Sequence, residues 1–127
     1  TAADLELEVS FLAVAGQGDM GGGLIWRARD DRNYYLTRAN PLEQNIRLYR
    51  IVDGVRKQLA NFDQIISVDR WHKLRVIARG ERFQVYYDGE PVLEVRDKTF
   101  STGGLVGLWT KADAVTCFDD LKAQLLE

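Results

Sequence analysis

Cysteine is nearly absent from this chain. The single Cys117 cannot form a disulfide within the molecule, and it rules out zinc sites built on paired thiolates. It does not decide the redox compartment. Long apolar runs are missing too: none approaches the roughly 20 residues that a membrane-spanning helix needs, so no membrane span is expected. Neither sign of charge is in excess, since 17 Lys+Arg face 19 Asp+Glu for a net charge of -2. A phosphate-binding surface usually shows as a basic surplus, so nucleic acid is not expected as a partner. No leader segment is visible. The chain opens at Thr1 without a methionine, so upstream residues are expected to have been removed.

What is present is alternation. In the stretch Trp71 to Gly89, Leu74, Val76 and Ala78 alternate with Lys73, Arg75 and Arg79. That is the period of a half-buried strand. Arg79-Gly80-Glu81 supplies a turn, and Phe83, Val85 and Tyr87 then alternate with Arg82, Gln84 and Tyr86. Asp88-Gly89 tolerates the positive φ angles of a tight hairpin, and Pro91 to Val95 leads away as a further strand.

The same pattern runs through the rest of the chain. Leu5 to Ala13 reads as a first strand, and Gly16 to Gly23 as a flexible glycine-rich loop. Leu24 to Arg29 and Tyr34 to Asn40 read as strands, with Pro41 ending the second. Asn45 to Val52 and Val55 to Leu59 flank Asp53-Gly54, a second hairpin turn of the same chemistry, and Phe62 to Asp69 reads as a connection. Leu105 to Lys111 is another strand. Propensity alone would make Leu121 to Leu126 helical, but a closing strand from Val115 to about Ala123, bulged at Asp119-Asp120, suits a sheet protein better. Ten short strands with turn signals every ~8–12 residues predict an all-β, two-sheet antiparallel β-sandwich, with residues 1–127 as one domain.

Several segments carry a resemblance. They are Gly22-Gly23-Leu24-Ile25-Trp26-Arg27, Asn33-Tyr34-Tyr35, Trp71 to Val76, Phe83 to Gly89, Gly104 to Thr110 and Phe118-Asp119-Asp120-Leu121. In this order and spacing the chain resembles the concanavalin A-like lectin/glucanase superfamily. Within it, the chain looks most like the laminin G-like jelly rolls classed with bacterial 3-keto-disaccharide hydrolase-like domains. The likeness runs from Leu5 to Lys122, without the additional N-terminal strands usual in that family. It implies a concanavalin A-like jelly roll with one concave sheet, glycan recognition or hydrolysis, and export to the periplasm or beyond.

The residues themselves narrow the chemistry. Glycoside hydrolysis needs two carboxyl groups flanking the scissile bond. The Glu-apolar-Asp-x-x-Glu strand motif of the superfamily's glucanases is absent, and Glu6 and Glu8 lie on the polar side of the first strand. The glycine-rich loop lacks the lysine-serine/threonine pair of a phosphate-binding loop. No serine sits in a nucleophile elbow, and a lone histidine such as His72 is more often packed than catalytic. Cys117 reads as a small apolar filler in a buried strand. Asp30-Asp31 and Asp119-Asp120 offer hard oxygen ligands for a structural calcium, but acidic turns without metal are commoner. No cofactor is therefore expected.

Binding is better supported. Lectin sites set an aromatic platform beside planar hydrogen-bonding groups. The non-core parity of neighbouring strands offers Arg27 and Arg29, Arg38 and Asn40, Arg47 and Tyr49, then Trp109 and Lys111. Of these, Arg27, Arg38, Asn40, Arg47, Tyr49 and Trp109 form the expected ligand-binding set, with a glycan or oligosaccharide as partner. Three alternatives stand beside it. The arginines could simply protect an exposed sheet face while Trp109 packs under a loop. The fold could also serve a hydrolase acting on a modified (3-keto) disaccharide, or a structural and protein-interaction role. Tyr34, Tyr35, Trp26 and Trp71 are expected in the core or an interface. The sequence does not indicate an oligomeric state.

Overall fold

The computed structural model describes residues 3–16, 20–111 and 114–126. Among the described residues ten strands run in order: β1 (Leu5–Ala15), β2 (Gly22–Asp30), β3 (Asn33–Asn40), β4 (Asn45–Val52), β5 (Val55–Asp63), β6 (Trp71–Arg79), β7 (Arg82–Tyr87), β8 (Glu90–Arg96), β9 (Leu105–Trp109) and β10 (Val115–Leu125). They form two five-stranded sheets, ordered β10-β1-β6-β7-β8 and β5-β4-β3-β2-β9. The strand pairs are antiparallel throughout. Among the described residues no helix is long and apolar enough to cross a membrane.

Alternation explains the layering. Leu5, Leu7, Val9 and Phe11 of β1, Leu74, Val76 and Ala78 of β6, and Phe83 and Val85 of β7 point inward from one sheet. Leu24 and Trp26, Tyr35 and Ala39, Ile46 and Leu48 meet them from the other, in one continuous core. Each such large apolar side chain, fully buried, contributes ~1.5–3 kcal/mol. Trp26 stacks on Tyr35 at 5.6 Å between ring centres, and the Phe83 ring sits edge-on to both. A polar clasp closes the two sheets over this cluster. The Tyr35 hydroxyl donates to Asp97 Oδ1 at 2.6 Å, while Arg50 Nη1 donates to Asp97 Oδ2 at 3.0 Å.

Both Asp-Gly hairpins form as read. Asp53 and Gly54 have φ of 51° and 78°, and Asp88 and Gly89 have φ of 47° and 86°, the paired positive angles of a type I′ turn. Asp88 also ties its turn to β6, accepting from Lys73 N at 2.7 Å and lying 2.7 Å from His72 Nδ1. His72 is buried and packed, its Nε2 lying 2.9 Å from the Ser67 carbonyl oxygen.

Four expectations change. β2 starts earlier than expected, at Gly22, because these glycines are needed for packing rather than flexibility. A Cβ on Gly23 would lie 2.4 Å from the Thr37 carbonyl oxygen, and one on Gly22 would lie 2.6 Å from the Phe118 ring. Residues 17–19 of the expected loop lie outside the described residues. β5 continues to Asp63, past an extra residue opposite Leu48 and Tyr49 that breaks its alternation. β10 remains a strand to Leu125, and Asp120 takes up its bulge with φ of 54°. Cys117 is exposed on β10 rather than buried, because its side chain lies on the solvent side of that edge strand. Trp26 and Tyr35 are core residues, whereas Trp71 is 51% exposed.

Candidate binding site

The outer face of β5-β4-β3-β2-β9 gathers most of the expected site. Register places Trp109, Gly23, Arg38, Arg47 and Asn61 side by side in one row across five strands. The next row carries Gly107, Ile25, Leu36, Tyr49 and Gln58. Leu36, Tyr49 and Ile51 form a small apolar cluster on this face, with Ile25, Tyr34 and Trp109 packed against it.

Polar side chains converge on that cluster. Arg38 is only 3% exposed. Its Nη1 donates to Asn45 Oδ1 at 2.5 Å and its Nη2 to the Tyr49 hydroxyl at 3.2 Å. Arg47 Nε donates to Asn61 Oδ1 at 2.9 Å, and its Nη1 reaches the same Tyr49 hydroxyl at 3.4 Å. That hydroxyl is the largest of the influences that raise the pKa of Arg47 above its ordinary value. Glu43, in the β3–β4 turn, stands between the two arginines at 3.5 Å from each. Its side chain is half-exposed, so the cluster opens to solvent there. Arg56 lies over the Tyr49 ring, 4.5 Å from its centre.

Asn40 belongs to the cluster in another way. It is buried, its Nδ2 donates to Glu43 Oε2 at 2.9 Å, and its Oδ1 accepts from the backbone of Leu42 at 3.0 Å. It shapes the turn that presents Glu43.

Arg27 is not on this face, which corrects the expectation for it. β2 carries surplus residues between Trp26 and Asp30 relative to both neighbours, and Arg27 sits at this bulge with φ of 50°. The bulge reverses the parity and turns the side chain inward, to 0% exposure. There Nε donates to the Ala3 carbonyl and Nη1 to the Phe100 carbonyl, both at 3.0 Å, and Asp4 lies 3.6 Å from Nη2. Burial is the main cause of its lowered pKa. Arg29 is likewise occupied elsewhere, holding Thr102 and Gly103 of the β8–β9 connection. Lys111 follows β9 and is exposed.

Glu43, Asn45, Arg56 and Asn61 are members that periodicity missed. Glu43 lay four residues before Arg47 in an acidic-basic spacing that could have drawn notice; Arg56 sits in regular register from the Asp53-Gly54 turn, and Asn61 lies past the extra residue that shifts the parity of β5. The acidic turns are internally engaged: Asp30 accepts from Arg32 N at 2.8 Å and Asn33 Nδ2 at 3.0 Å, and Asp119 from Asp120 N at 2.8 Å. Hollows elsewhere hold charges already paired, as in Arg75 with Glu6 at 2.9 Å and Lys98 with Glu81 at 3.9 Å.

Two antiparallel sheets with an aromatic, hydrogen-bonding outer face define a concanavalin A-like, lectin-type β-sandwich. Comparison with known proteins agrees. The chain is 26% identical over 120 residues to a levanase of Bacillus subtilis (strain 168), a match covering 93% of this chain and 17% of that protein. The chain thus spans about a sixth of that relative's length. It superposes on the carbohydrate binding module CBM66 from Bacillus subtilis with a TM-score of 0.87 at 26% identity, covering 98% of this chain and 76% of that one. Sheep galectin-11 shares the fold at a TM-score of 0.73 and 6% identity, with 98% and 92% of the two chains covered. No protein-family model matches the chain.

Proposed function

We propose that this chain is a carbohydrate-binding domain whose glycan settles on Glu43, Arg47, Asn61 and Trp109, groups held in place by the buried Arg38 and Tyr49. One observation carries the assignment of the site: two arginines and a glutamate are fixed around one tyrosine hydroxyl, open to solvent at Glu43 and flanked by Trp109. Planar, pre-oriented hydrogen-bonding groups beside an aromatic ring suit sugar hydroxyls and the apolar face of a sugar ring. The similarity to a levanase and to a carbohydrate binding module supports a levan-type fructan as ligand.

The finer likeness to 3-keto-disaccharide hydrolase-like domains would add hydrolysis, which requires two available carboxyl groups. Here Glu43 is engaged by both arginines and by Asn40, and Asp63 accepts from Asn61 at 3.0 Å. We therefore favour binding without turnover. A match to 17% of a levanase supports a place as one module of a larger, exported carbohydrate-active protein.

Calorimetric titration with levan tests this reading. The Arg47→Ala variant should bind at least tenfold more weakly, about 1.4 kcal/mol, while melting within a few degrees of the parent. Unchanged affinity in Arg47→Ala and in Trp109→Ala would remove the glycan from this face.

A further inference from the structure

The apolar stripe on this face continues past the arginine cluster. Ile25 and Tyr34, both packed against Leu36, Tyr49 and Ile51, also line a hollow of about 300 Å³ with Ala28, Leu105 and Gly107. Its lining is mostly apolar, with Asp30 and Asp31 at the rim. Asp30 is engaged within its own turn, whereas Asp31 is exposed and close enough to Tyr34 to help raise that phenol's pKa, after burial as the main cause. Tyr34 lies four residues from Arg38 along β3, which places the hollow ~13 Å from the arginine row at ~3.3 Å per strand residue. That span exceeds one sugar ring.

We propose that this hollow is a second subsite, which receives a further sugar residue of the same glycan chain whose first residue occupies the Arg38–Tyr49 cluster. The inference rests on the binding face proposed above. Continuity carries it: Ile25 and Tyr34 belong to both the cluster and the hollow, so an apolar floor runs from the arginines along β3, with Arg56 beside it over the Tyr49 ring. The apolar floor takes the C–H face of a sugar ring, and the Asp31 carboxylate at the rim accepts from its hydroxyls.

Gly107 gives a clean test. A Cβ built there meets nothing within 4 Å, so a large side chain can fill the hollow without disturbing the sheet. Levan-derived oligosaccharides of increasing length, from free fructose upward, are titrated against the parent, Gly107→Trp and Leu105→Lys. Leu105 is well exposed, so the second variant stands in should the first fold poorly. In the parent, affinity should rise at least fivefold from the single residue to the longer chains. In either folded variant that gain should vanish, with fructose affinity within twofold of the parent. A gain that persists in the variants, or a parent that binds fructose and longer chains equally, overturns the second subsite and leaves the first reading standing. Absence of binding to any member of the series overturns both.

Discussion

Arg27 and Arg47 belong to the same residue type and sat at equivalent strand parity in the sequence, yet they do opposite work. Arg27 fills the inside of the sandwich and satisfies two backbone carbonyls; replacing it by alanine leaves those carbonyls and a cavity behind. Arg27→Ala should cost about 3 kcal/mol in urea unfolding without changing glycan affinity. A loss of affinity with unchanged stability would contradict that placement. The Tyr35–Asp97–Arg50 clasp sets the response to pH. Burial works to raise the pKa of Asp97, but donation from Thr99, Tyr35 and Arg50 outweighs it and holds the pKa below its usual value. Its contribution is therefore present above about pH 4 and drains away as pH falls through the lowered folded value. Burial first, then the bond to Asp97, pushes the Tyr35 hydroxyl up to about 12. That contribution is complete below the ordinary phenol value of about 10 and is lost as pH climbs towards 12. Asp97→Asn should lower neutral-pH stability by roughly 1–2 kcal/mol and flatten the acid limb of a stability-against-pH curve. Tyr35→Phe should soften the alkaline limb without abolishing it, because Tyr87 is also raised to about 12, chiefly by burial.

Strands and turns were legible to different degrees. The Asp53-Gly54 and Asp88-Gly89 hairpins could be read directly, since each turn needs positive φ and few residue pairs supply it. The bulge at Asp119-Asp120 was also readable, from two acids interrupting an apolar alternation. The surplus residues in β2 and β5 left no such mark, and parity read across them slips. That is why parity puts Arg27 on the wrong face and hides Asn61, whereas Arg38, Arg47, Tyr49 and Trp109, on uninterrupted register, come together; Arg56 precedes the extra residue of β5 and was legible from the Asp53-Gly54 turn. Glycine divides in the same way. Gly89→Ala should cost only about 1 kcal/mol, since φ of 86° is strained for alanine but nothing lies within 4 Å of its Cβ. Gly23→Ala should cost more in urea unfolding and also weaken levan binding, because the new methyl meets Thr37 O at 2.4 Å and Arg38 Cβ at 2.9 Å. Equal costs for the two substitutions would argue against close packing at Gly23.

At the scale of the molecule, the two outer faces differ in kind. The face of β10-β1-β6-β7-β8 is laced by ion pairs, Arg75 with Glu6 at 2.9 Å and Arg82 with Glu94 at 2.7 Å, and such exposed pairs contribute little stability. The opposite face concentrates its polar groups around one hydroxyl. Tyr49 Oη accepts one hydrogen bond from Arg38 and another from Arg47, so both of its lone pairs are engaged. Its own hydrogen is all it has left to give, and it must point away from both guanidinium groups. Glu43 beside it has only lone pairs to offer. The buried Tyr49 therefore keeps one hydrogen to give and the half-exposed Glu43 carries the outward lone pairs, a pair that complements an alcohol, which both gives and takes a hydrogen bond through a single oxygen.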